Sequence, residues 1–422
     1  MTIQMRAEQA ESGARLATSP QAALAGIRVV DLTQFEAGPS CTQTLAWLGA
    51  DVIKIEAPGR GEQGRGATSN KAGEDANFFL LLNANKRSVT INLKHPKGRA
   101  LLTDLIKKAD ILVENFAPGT IERLGLAYED VRKINPRIVY AQIKGFAPEG
   151  PYGNYLAFDA IAQAAGGSLS ITGEPDGRPI KPGLNVADSG AGLHCVIGIL
   201  AALYQRQTTG VGQRVEVAMQ DAVINFGRIA YAAQAALNAP APRTGNQSIL
   251  AGTSPSEVYP CKGGGPNDYC YVYTTRAGNH HWERLLGVIG REDLLADPRF
   301  TTPKARQENY KTVDAIIAEW TRHYDKRQVM KLFGEAGIPA SAVFDTMELT
   351  LDPDLRKRGT FVSVNHPTRG DVVIPGFVIK LSDSHVPVVA SPLLGADNER
   401  VFGGLLGLAA EELEAMRREG AI

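Results

Sequence analysis

The sequence predicts an α/β protein, with a large Rossmann-like domain on a parallel sheet and a smaller α+β domain. Short apolar runs alternate with helical patterns through the first half, the rhythm of βαβ units. The chain has 422 residues, more than one hydrophobic core normally holds. Its character changes after the proline-containing stretch Asn238-Ala239-Pro240-Ala241-Pro242-Arg243, which reads as a linker.

Element by element, Ile27–Leu32 reads as a buried strand, and Gly38-Pro39 opens a helix through Thr42 to Leu48. Asp51–Ile55 and Ser88–Leu93 are further strands. A helix from Pro96 to Ala109 starts on a proline, which suits a first helical turn. Ile111–Val113 and Arg137–Ile143 are strands flanking a helix at Tyr128–Ile134. A long helix spans about Ser189 to Arg206, broken by Gly210 and Gly212. Gln213–Ala218 is a strand and Gln220 to about Leu237 one more helix.

Beyond the linker, strands at Ser256–Tyr259 and Tyr269–Thr274 flank a glycine turn, and helices follow near His280–Ile289, Tyr310–His323 and Lys326–Ala336. Short strands return at Phe361–Val364, Asp371–Ile374 and Phe377–Lys380, before a last helix at Ala410–Arg418. The expected division is a flexible tail at 1–23, the large domain at 24–218, a linker helix and loop at 219–250, and the small domain at 251–340. Residues 341–422 are expected to return to the large domain.

The formal net charge is zero, which argues against a general nucleic-acid binder or a polybasic membrane binder. The N-terminal residues are polar and alanine-rich, without the apolar core of a signal peptide. The run Leu193–Tyr204 is too short to span a bilayer. Four cysteines lack metal spacing; a Cys261–Cys270 disulfide is conceivable, but reduced thiols in a cytoplasmic protein fit better. The seven histidines form no metal pattern, so no metal is expected.

Gly59-Arg60-Gly61-Glu62-Gln63-Gly64 fits the dinucleotide fingerprint by spacing, yet the polar, glycine-rich residues after it start no helix for a pyrophosphate. It reads as a mobile loop. Basic residues recur at strand and helix ends, at Lys86, Arg87, Lys94, Arg123 and Lys144. Together they suggest a polyanion pocket at the carboxyl edge of the sheet. Asn115 and Phe116 follow a strand there, and Pro118-Gly119 opens a helix.

Asp188 is the candidate catalytic residue. It sits in Val186-Ala187-Asp188-Ser189-Gly190-Ala191-Gly192, where small neighbours leave a carboxylate open to a large substrate. A carboxylate can act as a nucleophile without an activating base. Local sequence alone favours a plain helix cap, since caps outnumber nucleophiles, and it is the rest of the chain that reverses this.

Several segments resemble the class III CoA-transferases, the family of formyl-CoA transferase and the carnitine CoA-transferases. They are Leu24–Asp31, Ala37-Gly38-Pro39, Leu48–Glu56, Asn85–Ser88, Glu114–Gly119, Arg123-Leu124-Gly125, Gly337–Ala340 and Pro392–Gly395. The resemblance covers about residues 24 to 422. It implies that Asp188 is the catalytic aspartate, that Ala37, Lys94, Asn115, Phe116 and Arg123 contact CoA, and that two ring-like chains interlock as a homodimer. The implied reaction moves CoA from an acyl-CoA to a carboxylic acid, with CoA as substrate rather than as a permanently bound cofactor.

The chain also departs from the formyl-CoA transferases. Glu36 stands where they carry glutamine, Ala67 where they carry tryptophan, and Phe78 and Phe158 where they carry tyrosines. The acid pocket is therefore expected to be roomier and less polar, which disfavours oxalate. The α-methylacyl-CoA racemases of the same superfamily need a histidine at the position of Phe158, and a lone carboxylate is a poor two-base catalyst. A CoA-binding subunit of a heteromer is the third reading.

Overall fold

The computed structural model describes residues 22–67, 74–250, 253–275 and 277–422, so the predicted N-terminal tail lies outside it up to residue 21. The chain forms two compact units. The first comprises the residues up to Gly166, Gly183–Asn225 and Asp354–Ile422; the second comprises Gly167–Pro182 and Phe226–Pro353.

The first unit holds a six-stranded sheet of β1 (Arg28–Asp31), β2 (Asp51–Glu56), β3 (Arg87–Thr90), β4 (Ile111–Glu114), β5 (Val139–Lys144) and β6 (Arg214–Ala218). The order is β3-β2-β1-β4-β5-β6 and every neighbouring pair is parallel. Successive strand residues face opposite sides of the sheet. Val29, Val52 and Ile111 pack into one core, Val30, Ile53 and Leu112 into the other. Strands buried on both faces read as continuous apolar runs, which is why they were legible.

The first core contains Cys41 and Leu45 from the helix Ala37–Trp47, and Cys195 and Ile199 from the long helix Val186–Thr209. The second contains Leu101 and Leu105 from the helix Pro96–Lys107, and Leu413 from Ala410–Arg418. Chain order reverses between β1 and β4, and in such sheets the crevice beyond the carboxyl ends of those strands receives ligands.

The second unit contains the antiparallel sheet β7 (Ser256–Pro260), β8 (Tyr269–Tyr273) and β9 (Ala340–Ala342). Its helices pack around Trp282, Phe300, Val313 and Phe333. The hairpin of β10 (Phe361–His366) and β11 (Gly370–Pro375) belongs to the first unit.

Several expectations are corrected. Phe377–Lys380 forms no strand: Val378 is 79% exposed and the only pairing nearby is an isolated bridge between Leu381 and Ser384. The helix expected over Gln220–Leu237 is two helices, Met219–Phe226 and Arg228–Leu237, interrupted at Gly227, a poor helix former. The long helix begins at Val186 rather than Ser189, so Asp188 lies inside its first turn and Asn185 is the N-cap. That helix has 24 residues and is long and apolar enough to cross a bilayer, unlike the shorter run read from sequence. Half of its apolar window is buried, as in the core helix of a globular unit. The Gly59–Ala67 segment is not loose: Glu62 and Arg65 are buried and Arg65 makes paired hydrogen bonds to Glu56, while residues 68–73 lie outside the described residues. All four cysteines are free.

Candidate active site

The loop after β1, residues Leu32–Glu36, is built on a buried polar network. Asp31 accepts hydrogen bonds from Thr33 and from Thr42 Oγ1 at 2.7 Å, and pairs with Lys86 at 3.1 Å. Burial alone would raise the Asp31 carboxyl, but Lys86 and Lys54 beside it hold it down at about 2. Lys54 Nζ donates to the Thr33 carbonyl at 2.8 Å. The Asn115 side chain clamps Gln34 from the other side, accepting from its N–H and donating to its carbonyl, each at 2.8 Å. Phe35 N–H reaches Glu62 Oε2 at 3.2 Å. Phe35 itself has φ of 61°, a left-handed conformation that costs a residue with a Cβ about 1 kcal/mol or more. The network over-determines that conformation and aims the loop at the switch point.

The long helix approaches the Ala37 helix closely. A Cβ at Gly192 would lie 2.3 Å from Ser40 Oγ and 2.8 Å from the Ala37 carbonyl, so only glycine fits. This contact brings Asp188 beside Glu36. Glu36 Oε2 accepts from Asn185 Nδ2 at 2.7 Å and Oε1 accepts from Ser189 Oγ at 2.9 Å. From the helix Asp159–Ala165, Asp159 Oδ1 accepts from the N–H groups of Ala187 and Asp188. His194 bonds locally, to the Gly190 carbonyl and to Asn225 Nδ2.

Asp188 lines a cavity of about 490 Å³ with Gln34, Phe35, Glu36, Ala37, Asn115, Phe116 and Phe158. Partial burial, with Glu36 and then Asp159 nearby, raises the Asp188 carboxyl to about 7. Phe35 and Phe158 meet edge to face at 5.8 Å and wall the cavity. The helix beginning at Ala37 brings its N-terminus to the site, where developing negative charge is favoured. A second cavity of about 800 Å³ shares Gln34, Gln63, Phe116 and Thr120 with the first, and carries Arg60 and Lys94.

The structure thus brings Glu36, Ala37, Asn115, Phe116 and Phe158 to Asp188. Lys94 lies in the adjoining cavity, and Arg123 donates to Thr120 Oγ1 at its edge. Ala67 and Phe78 line neither cavity. The predicted polyanion pocket loses most of its cations. Lys86 is bound to Asp31, Arg87 to Asp51, and Lys144 to Glu114 at 2.8 Å. Sequence reasoning missed Gln34, Phe35, Gln63 and the role of Asp159. The positive φ at Phe35 has no signature in residue type.

The profile of CoA-transferase family III matches residues 24–398. A formyl-CoA:oxalate CoA-transferase of Streptomyces coelicolor is 45% identical over 413 residues, covering 95% of this chain and 99% of that protein. One from Rhodopseudomonas palustris is 41% identical over 95% of this chain and 97% of its own length. Among solved structures, a CAIB/BAIF family protein from Brucella suis aligns with a TM-score of 0.81 and 30% identity, covering 92% of this chain and all of that one. With the family matched over nearly its whole length, the chain belongs to CoA-transferase family III.

Proposed function

We propose that this CoA-transferase works through covalent intermediates on Asp188. One Asp188 carboxylate oxygen attacks the thioester carbonyl of an acyl-CoA. The C–S bond breaks, CoA leaves as thiolate, and a mixed anhydride joins the acyl group to Asp188. The thiolate then attacks the aspartyl carbonyl, expels the donor acid as its carboxylate and leaves an Asp188–CoA thioester. An acceptor carboxylate attacks that thioester, releases the thiolate and forms a new anhydride. Attack by the thiolate on the acceptor's carbonyl yields the new acyl-CoA and restores the Asp188 carboxylate. The thioester's energy is retained throughout.

The observation that carries this reading is a carboxylate raised to about 7, lining a cavity at the topological switch point. Basicity and nucleophilicity rise together, and the group still ionises near neutrality. Tetrahedral intermediates would form at the N-terminus of the Ala37 helix, where a single well-placed N–H donor is worth about 2.7–4 kcal/mol. In this reading CoA runs from Asp188 past Ala37, Asn115 and Phe116 into the cavity with Lys94, and its phosphates meet Lys94 and Arg123. Asn115 serves by holding Gln34, since its amide is already committed.

Leu193, Ile197 and Tyr204 form an exposed apolar stripe on the long helix. The exposure of that stripe supports its being covered by a second copy of the chain, in an interlocked homodimer. The racemase reading is disfavoured by Phe158, which has no titratable group and packs on Phe35. The test is transfer itself: purified protein with an acyl-CoA and a panel of carboxylic acids, products read by mass spectrometry. New acyl-CoA esters support the reading. Loss of chirality of a 2-methylacyl-CoA without any transfer contradicts it.

A further inference from the structure

Glu36 is set apart from the other acidic groups near Asp188 by its surroundings. Asp159 is buried and spends its oxygens on the N–H groups of Ala187 and Asp188 and on Gln163 Nε2. Glu36 is only partly buried and lines the same cavity wall as Phe35 and Ala37. Its two hydrogen-bond donors, Asn185 Nδ2 and Ser189 Oγ, are both neutral. Among the described residues no lysine or arginine pairs with it, and the one cation lining this cavity, Lys144, is committed to Glu114.

Asn185 and Ser189 stand three residues before and one residue after Asp188 on the same helix start. They hold the Glu36 carboxylate in the wall of the cavity that Asp188 also lines. Each Glu36 oxygen accepts one hydrogen bond and retains room for a second, because a carboxylate offers about four lone-pair sites. A second carboxylate on the bound acid would meet the like charge of Glu36, which has no cation paired with it, in a partly dry cavity, and that is repulsive. A hydroxyl there would donate to Glu36 and complete its shell. A site built around a hydrogen bond discriminates strongly, since the wrong group leaves a polar atom unmatched.

We infer that Glu36 is a specificity-determining residue, and that the acids exchanged by this chain are monocarboxylates with a hydroxyl next to the carboxyl group, rather than dicarboxylates. This rests on the transferase reading above and deepens it. The size-based argument from Ala67 and Phe78 does not reach the cavity; the Glu36 charge does.

The test is a competition. Wild type and Glu36→Gln are each given formyl-CoA or acetyl-CoA with equal concentrations of glycolate and oxalate, acids of similar size that differ in charge. The two product CoA esters are quantified. Wild type should favour glycolyl-CoA by about tenfold or more, and Glu36→Gln should shrink that ratio by a similar factor. The glutamine still accepts from Asn185 and can donate to Ser189, and a melting curve confirms folding. Any general effect of the substitution on Asp188 reactivity cancels in the ratio. A wild-type preference for oxalate, or a ratio unmoved within about twofold by Glu36→Gln, overturns the assignment while leaving the transferase reading standing. No transfer to either acid from either donor overturns this assignment, and the wider panel of acids then decides the transferase reading.

Discussion

Asp159 Oδ1 accepts the main-chain N–H of Asp188 at 3.3 Å and that of Ala187 at 3.0 Å. The opening of the Asp188 helix is thus capped by a carboxylate from another helix, while its own N-cap residue, Asn185, turns to Glu36. Gln163 Nε2 holds the other Asp159 oxygen at 2.6 Å. Asp159 therefore positions the start of the Asp188 helix and adds negative charge near the Asp188 carboxyl. Asp159→Ala should cost about 1 kcal/mol of stability through the lost cap. It should lower kcat about tenfold or more by loosening Asp188, with a smaller effect on KM. Asp159→Asn keeps an acceptor and should recover most of the stability, which thermal melts and steady-state kinetics together would show.

The pH dependence follows from Asp188. In the proposed mechanism the nucleophile is the Asp188 carboxylate, and burial, Glu36 and Asp159 raise its titration to about 7. Transfer should therefore fall as pH drops through about 7, as the carboxylate takes up a proton. In Glu36→Gln one of the raising charges is gone, so the acidic limb should move to lower pH. A pH profile of kcat/KM for both proteins checks this; coincident profiles would contradict it.

The same shift acts on stability. A carboxyl held higher in the folded protein than in the unfolded chain ionises at a cost. That cost begins as pH rises past the unfolded value, near 4, and is complete above about 7. Asp188→Asn removes it. Discounting for solvent at a partly exposed site, the variant should be more stable than wild type by about 1–2 kcal/mol at pH 8 and by little at pH 4. Melting temperatures of the two proteins at both pH values provide the comparison.

Lys94 and Arg60 are the cations lining the larger cavity. Replacing Lys94 with alanine should raise KM for acyl-CoA by about three- to tenfold, with kcat little changed, because it removes a contact made equally in ground and transition states. The effect should shrink at high salt. An unchanged KM at low ionic strength would place the CoA phosphates elsewhere.

How much of this was legible in the sequence varied by element. The inner strands β1, β2, β4 and β5 stood out because a sheet covered on both faces needs apolar runs, whereas the edge strands Arg87–Thr90 and Arg214–Ala218 carry polar residues. Asp188 stood out because a close helix–helix contact at Gly192 demands small residues around it. The basic residues misled because a sequence does not show what lies across the fold: Asp31, Asp51 and Glu114 neutralise Lys86, Arg87 and Lys144. Phe377–Lys380 has strand-like residues, but no neighbouring strand pairs with it. Asp159 caps a helix that begins 27 residues later, a distance at which no local pattern reports capping.

The most direct measurement is covalent trapping. Wild type incubated with acyl-CoA, quenched with hydroxylamine and digested should yield a hydroxamate on Asp188, and Asp188→Ala, with its fold intact, should neither trap nor transfer CoA. An unmodified Asp188 during turnover, or near-wild-type transfer by Asp188→Ala, would contradict nucleophilic catalysis by this residue.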